Sequence, residues 1–548
     1  MIHEYIKQLV TAAVKETPEL KEIASQLDFS VERPRHKKYG DWSTNVAMVA
    51  APILKKSPMQ IAEGLIGNLK DARGFLRKTE IAKPGFINMF FKNEWYFEVL
   101  KRIEELNEKF GEIGVGKGQK VLLEYVSANP VGPLHIGHGR WAAVGDTLAR
   151  ALSAAGFEVT TEFYVNDYGR QINLFTESVI AAYERAHGKD TPVPQDGYGG
   201  AYIKDVAEEL DKNGVFADTS DRKKIEKAAV QLMLDSINKT LSKFDVKFEE
   251  WTFESKFHEQ NKVNKIINYL QARGQTYIED EALWLRTEGF GDEKNRVLKR
   301  RTGETTYFAS DIAYHKDKLE RGFDKLINIW GADHHGYIAR VKAAIAALGE
   351  DPDKLEVILG QLVNLFKDGK PVKISKRTGD LVTLDELLDE VGGDAARFTL
   401  LTKSTDSTLD FDIDLVKEQS DKNPVYYVQY AHARISSILK FAAEKGVKYA
   451  GAKDADLSLL TEEAEIDLIK TLEEFEEIIE IAARNLTPHL LTAYAQKLAT
   501  AFHSFYTVSR VITDDEKLTQ ARLGLLNCTH IALRNVLKLL GVSAPEKM

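Results

Sequence analysis

The stretch KVLLEYVSANPVGPLHIGHGRWAAVGDTLARALSAAG, residues 120–156, reads as a strand, a Pro/Gly-rich turn and a long helix. Lys120 to Ser127 is β-branched and apolar enough for a buried strand, and Asn129, Pro130, Gly132 and Pro133 then break regular structure and force an open loop. From about His138, Trp141, Val144, Leu148 and Leu152 recur at helical spacing. Gly156 stands where a helix C-terminus favours a left-handed residue, and Glu158 to Val165 reads as the second strand. The result is a β-α-β unit. Such a unit binds nucleotides where strand gives way to helix, because unpaired N–H groups and the helix dipole favour phosphate there.

The loop has no dinucleotide glycine fingerprint and offers His135-Ile-Gly-His138 instead. Both imidazoles at a helix start can reach phosphate oxygens, and Gly137, with no side chain, lets an adenine ring approach the backbone. This tetrapeptide resembles the HIGH motif of class I aminoacyl-tRNA synthetases. Far downstream, Lys373-Ile-Ser-Lys-Arg377 resembles the second signature of that class, KMSKS, with Arg377 where the family pattern has Ser. It follows Phe366-Lys-Asp-Gly-Lys-Pro371, which reads as a tight turn centred on Asp-Gly. The resemblance implies an α/β Rossmann-like catalytic domain that binds ATP, as its Mg²⁺ complex, through His135, Gly137, His138, Lys373, Ser375 and Lys376. His135, His138, Lys373 and Lys376 are its catalytic candidates. A tRNA-binding paralogue without ligase activity and a small-molecule nucleotidylyltransferase share parts of this pattern. The first has no need of both motifs, and the second has shorter chains without a helical tail.

At 548 residues the chain is too long for one core and predicts about three domains. A net charge of -9 does not exclude a nucleic-acid partner, because a polyanion responds to local basic patches over a Debye length of about 8 Å. The single cysteine, Cys528, excludes a disulfide framework and a cysteine-rich zinc site. With no apolar run of about 20 residues and no signal-like start, the expectation is a cytoplasmic protein without membrane contact. It is further expected to be a monomer, with no resident metal and no tightly bound cofactor.

Residues 1–115 contain the basic cluster Arg33-Pro-Arg-His-Lys-Lys38, then YGDWSTNVAM from Tyr39 to Met48 and Lys83-Pro-Gly-Phe-Ile-Asn-Met-Phe90. The last two stretches resemble the N-terminal α+β domain of arginyl-tRNA synthetases, which implies contact with the tRNA elbow through Asn88 with Phe86 beside it. Residues 116–390 read as the catalytic domain, interrupted by an insertion of about 187–300. The chain returns through Thr305 to Asp311 and a strand Leu326 to Trp330, which ends in Gly331-Ala-Asp-His-His-Gly336. Asp333, His334 and His335 there could orient a ribose or support the fold. Val357 to Asn364 reads as the last strand.

From about Pro424 the pattern is helical, and residues 391–548 form the third expected domain. Ile466, Ile469, Leu472, Phe475 and Ile479 make one stripe, with Glu473, Glu474, Glu476, Glu477 and Glu480 around it on what reads as a solvated face. The helix with Tyr426, Tyr427, Gln429, Tyr430 and Arg434, and the terminal helix His530 to Leu537, resemble an all-α DALR-type anticodon-binding bundle. Tyr430 is the tRNA-binding candidate there.

A guanidinium is a planar, permanently charged fork of donors and needs carboxylates and aligned acceptors. Glu124, Asn129, Tyr307 and Asp311 match the positions that hold substrate arginine in the resembled family. Burying Glu124 and Asp311 together demands a cation, which bound arginine would supply. One cysteine cannot build the zinc site of a cysteine enzyme. Isoleucine, valine and leucine enzymes need a second sieve, since a methylene discriminates by only about 1–3 kcal/mol, and no large editing insertion is apparent. The resemblance therefore implies ATP-dependent ligation of L-arginine to tRNA(Arg) through an arginyl-adenylate, with AMP and pyrophosphate as products.

Overall fold

Val121, Leu122 and Leu123 are fully buried, as a strand covered on both faces requires. In the computed structural model, which describes residues 2–372 and 382–548, Lys120–Glu124 is the middle strand of a five-stranded sheet. The spatial order is Leu355–Gly360, Lys325–Gly331, Lys120–Glu124, Glu158–Val165, Glu250–Phe253, and every pairing is parallel. The chain thus adds two strands on one side of Lys120–Glu124 and then crosses to add two on the other. The switch lies between Lys120–Glu124 and Lys325–Gly331, the place where such sheets leave a crevice for ligands.

The first strand stops at Glu124, three residues short of expectation. Val126 and Ser127 adopt left-handed φ values of 67° and 38° and turn the chain back over the strand end. For a β-branched valine this is a strained backbone, of the kind that persists where surrounding structure over-determines it. The helix runs Ile136–Ala154, capped by His135, and Gly156 at φ 87° releases the chain into the next strand.

Two expectations change. Val357 to Asn364 is not one strand: Leu355–Gly360 closes the main sheet, whereas Val363–Lys367 starts a separate sheet, paired with Lys370–Val372 and with Leu409–Asp412. Asp368 and Gly369, at φ 52° and 68°, form the expected tight turn of that hairpin. Within the stretch expected as an insertion, Glu250–Phe253 is an edge strand of the main sheet. The separate part there is a three-stranded antiparallel sheet, Arg296–Lys299, Ala282–Leu285 and Thr276–Glu279.

The first domain pairs a four-stranded antiparallel sheet with helices Ile2–Glu16, Val46–Leu54, Pro58–Ile66 and Asn93–Leu106. The last part of the chain is the helical bundle Pro424–Glu444, Glu463–Glu473, Phe475–Arg484, His489–Val508 and Glu516–Leu540. Its acidic face is not solvated as expected. Arg33 pairs with Glu473 and lies 3.3 Å from Glu477, Arg102 makes two 2.6 Å bonds to Glu476, and Lys37 reaches Glu463 at 3.0 Å and Asp467 at 2.6 Å. The glutamates dock the first domain. Sequence order hid this, because the partners stand more than 370 residues apart.

Arg397, almost fully buried, ties three segments together. Its guanidinium pairs with Asp146 of the Ile136–Ala154 helix and donates to the carbonyls of Phe244 at 3.1 Å and Leu540 at 2.5 Å. Arg397→Met should lower the thermal unfolding midpoint, since removing one partner of a buried ion pair costs about 3–5 kcal/mol. An unchanged midpoint would show that these segments are held by apolar packing alone.

Candidate active site

A cavity of about 780 Å³ opens at the carboxyl ends of Lys120–Glu124 and Lys325–Gly331. Glu124, Asn129, Tyr307 and Asp311 all line it, together with His138 and Trp141 of the helix start. The structure therefore brings the four expected arginine-binding positions onto one wall system beside one half of the expected nucleotide site. Each has a structural reason to be there. Glu124 is the last residue of its strand; Asn129 is held in the loop by a 2.7 Å bond from its amide to Gln171; Tyr307 and Asp311 sit one turn apart in the helix Tyr307–Glu320.

His135 and His138 cap their own helix. The Gly137 N–H donates to His135 Nδ1 at 3.1 Å, the His135 N–H donates to His138 Nδ1 at 3.2 Å, and the two rings stack at 3.8 Å. Gly139 is needed for packing: a Cβ there would lie 2.7 Å from Leu384, at the start of the helix that follows residues 373–381. Lys373, Ser375, Lys376 and Arg377 fall outside the described residues.

The carboxyls differ in their surroundings. Ser127 Oγ donates to Glu124 Oε1 at 2.9 Å, and the Lys318 ammonium reaches Glu124 Oε2 at 2.5 Å. The cation that Glu124 demands is thus supplied by the chain itself, a correction to the expectation that substrate supplies it. Asp311 instead accepts from the Tyr337 hydroxyl. Burial pushes Asp311 up to about 6; the Tyr337 bond opposes this shift and the charge of Glu124 adds to it. Glu254, also in the cavity wall, is pushed up to about 7 by burial and then by Asp311. Two carboxyls poised to ionise in one pocket make a site for a cationic ligand.

Glu254 and Tyr337 escaped the sequence reading. Glu254 is the residue immediately after the Glu250–Phe253 strand, and recognising that strand would have put a carboxylate at its carboxyl end. Tyr337 opens the helix just beyond Gly331-Ala-Asp-His-His-Gly336. Of that motif, Asp333 and His334 border the cavity and stand 3.6 Å apart.

The tRNA candidates lie elsewhere. Phe86 is half-buried and Asn88 is 4% exposed in the strand Phe86–Phe91, so Asn88 offers a partner very little surface. Tyr430 is half-buried in an aromatic cluster, stacked 6.1 Å from Tyr426 and 6.0 Å from His503, with its hydroxyl bonded to Arg434. Among the described residues, no helix is long and apolar enough to cross a membrane.

Three family models match in order: the arginyl tRNA synthetase N-terminal domain over residues 4–91, the catalytic domain of class I (R) tRNA synthetases over 100–437, and the DALR anticodon-binding domain over 428–548. The chain is 48% identical over 551 residues to an arginine–tRNA ligase of Listeria welshimeri, covering 100% of this chain and 98% of that one. It is also 48% identical over 525 residues to an arginine–tRNA ligase of Geobacter sp., covering 95% of each. The solved structure of Thermus thermophilus arginyl-tRNA synthetase superposes with a TM-score of 0.80 over all of both chains at 23% identity, a likeness of fold.

Gly360 ends the outer strand directly under the Trp141 ring, and a Cβ there would lie 1.7 Å from that ring. Gly360→Ala should displace Trp141 from the cavity wall, shift the intrinsic tryptophan fluorescence and weaken nucleotide binding. Unaltered fluorescence and nucleotide affinity would show that the wall tolerates the extra carbon.

Proposed function

The chain belongs to the arginyl-tRNA synthetases of class I, and from that premise we propose which of its residues do each part of the work. The reaction is the ATP-dependent ligation of L-arginine to tRNA(Arg) through an arginyl-adenylate. The arginine carboxylate attacks the α-phosphorus of ATP, pyrophosphate leaves, and a terminal ribose hydroxyl of the tRNA then attacks the mixed anhydride. Neither step needs a protein nucleophile, so the chain's contribution is positioning and charge stabilisation.

The observation that carries this division is the meeting of Glu124, Asn129, Tyr307 and Asp311 in one cavity beside His138, at the switch point of the sheet. In our reading Asp311, with Glu254 and the hydroxyls of Tyr307 and Tyr337, holds the guanidinium, while Glu124 and Asn129 hold the backbone end of arginine nearer the HIGH loop. His135 and His138 meet the phosphates of ATP, entering as its Mg²⁺ complex, and Gly137 gives the adenine room. Lys373 and Lys376 supply positive charge during adenylate formation, and the Ser375 hydroxyl contributes a hydrogen bond to ATP. Phe86 and Asn88 touch the tRNA elbow, and Tyr430, in its aromatic cluster with Arg434, meets anticodon bases by stacking. The enzyme acts as a cytoplasmic monomer.

Arginine-dependent pyrophosphate exchange, run with tRNA present as the family resemblance implies it must be, tests the assignment. Asp311→Asn keeps size but removes charge, and a lost charge-assisted bond is equivalent to about 1.5–3 kcal/mol, or roughly ten- to hundredfold in arginine KM. Because burial pushes Asp311 up to about 6 and Glu254 up to about 7, protons compete with the guanidinium below those values. Arginine KM of the native enzyme should therefore climb as pH falls from 8 to 6, with ATP KM changing far less. A flat arginine profile, or a normal arginine KM in Asp311→Asn, would sink this pocket.

Lys376→Ala should instead lower kcat for adenylate formation by about 2–4 kcal/mol of barrier and leave arginine KM nearly unchanged, as expected of a charge that acts chiefly in the transition state. Unchanged kcat with raised arginine KM would reassign Lys376 to ground-state binding.

A further inference from the structure

Lys318 is fully buried in the helix Tyr307–Glu320, and the mechanism above gives it no step. Its ammonium lies 2.5 Å from Glu124 Oε2, 3.0 Å from Asn328 Oδ1 and 3.9 Å from Glu162 Oε2. The Tyr314 hydroxyl stands 3.1 Å from Glu124 Oε2 and 2.9 Å from Glu162 Oε2, sharing one proton between two carboxylates. Glu162, also fully buried, is gripped by Arg321 at 2.9 and 3.0 Å and by Thr252 at 2.5 Å. The two buried carboxylates therefore face two cations without substrate, and Arg321 also pairs with the partly exposed Glu250 at the sheet edge. Asp311, by contrast, accepts from a hydroxyl.

Glu124 has two oxygens with separate duties. Oε2 is engaged by Lys318 and Tyr314, while Oε1 accepts from Ser127, which also lines the cavity. A carboxylate pinned this way can rotate little, and one orientation is presented to the ligand. A lysine with no exposed surface cannot itself touch arginine, so it acts on the ligand through the carboxylate it holds and, from further away, through its charge, which also favours the ionised form of Asp311.

We infer that Lys318 is a positioning residue of the amino-acid site: by neutralising and orienting Glu124 it fixes that carboxylate for arginine's backbone end and leaves the pocket's unbalanced negative charge at Asp311 and Glu254, where the guanidinium goes. The inference rests on the assignment of Glu124 to arginine binding proposed above. It makes the pocket asymmetric, with a charge-compensated end and an uncompensated end, so that a diffuse cation is drawn to one place only.

The test is a double-mutant cycle in the full-length enzyme with tRNA, using arginine KM, ATP KM and kcat from pyrophosphate exchange. Lys318→Met keeps the length of the side chain and removes its charge. It should raise arginine KM at least fivefold while ATP KM stays within twofold, a split that loss of general structural integrity would not produce. Lys318→Met combined with Glu124→Gln should match Glu124→Gln alone within twofold, because Lys318 acts chiefly through Glu124. This double variant replaces two buried charges by neutral groups, and so the comparison survives if Lys318→Met alone fails to fold. A smaller rise in folded Lys318→Met, or a double variant whose arginine KM exceeds that of Glu124→Gln by more than twofold, overturns the inference. A normal arginine KM in Glu124→Gln would instead overturn the assignment of Glu124, separately from the role of Lys318.

Discussion

A carboxylate at the end of a fully covered parallel strand keeps its charge only if a cation is buried with it, and the site is built on meeting that demand. Glu124 and Glu162 end up adjacent because their strands pair in register; Lys318 of the crossing helix reaches both, and Arg321, which caps that helix, reaches Glu162. The helix that carries these cations also carries Tyr307 and Asp311. One element therefore sets the charge balance of the sheet and presents cavity-lining groups, and a shift of that helix would disturb both together. The strained Val126 and Ser127 backbone belongs to the same arrangement, since it returns Ser127 Oγ to Glu124 and lets the same oxygen accept from the Tyr164 N–H at 3.2 Å.

A second set of charge pairs joins the ends of the chain. Arg33 and Arg102 of the first domain meet Glu473, Glu476 and Glu477 of the bundle, Lys470 reaches back to Asp41 at 2.5 Å, and Glu104 accepts from Tyr449 and Asn527, each at 2.7 Å. Apolar contacts continue across the joint, where Phe110 lies 5.4 Å from Phe475. A Cβ on Gly111 would fall 2.8 Å from that same ring, which explains a glycine at the crossing. The basic cluster that looked available to a polyanion is in part committed to the protein's own glutamates.

What the sequence made legible followed from local chemistry. The β-α-β unit around residues 120–165 declared itself through periodicity and its glycine stop, the Asp368-Gly369 hairpin through its turn residues, and the pocket positions through resemblance to the arginyl enzymes. Long-range pairing was out of reach. The acidic face of Glu463–Glu473 and Phe475–Arg484 has the pattern of a solvated surface, and only the fold shows that another domain's arginines cover it. Lys318 has the same origin: in sequence it is one lysine among the charged residues of a helix, and its partners come from three strands of the main sheet. Glu254 was hidden by a strand too short to stand out within a long interruption.

The self-capping of the HIGH helix carries a consequence for proton inventory. In both His135 and His138 the Nδ1 atom is the acceptor of a backbone N–H, so Nδ1 carries no proton and the neutral ring must hold its proton on Nε2. The backbone has thereby chosen the tautomer for both imidazoles. Each neutral ring thus carries its N–H on Nε2, and the contact with phosphate oxygens proposed for this pair would not depend on imidazolium formation.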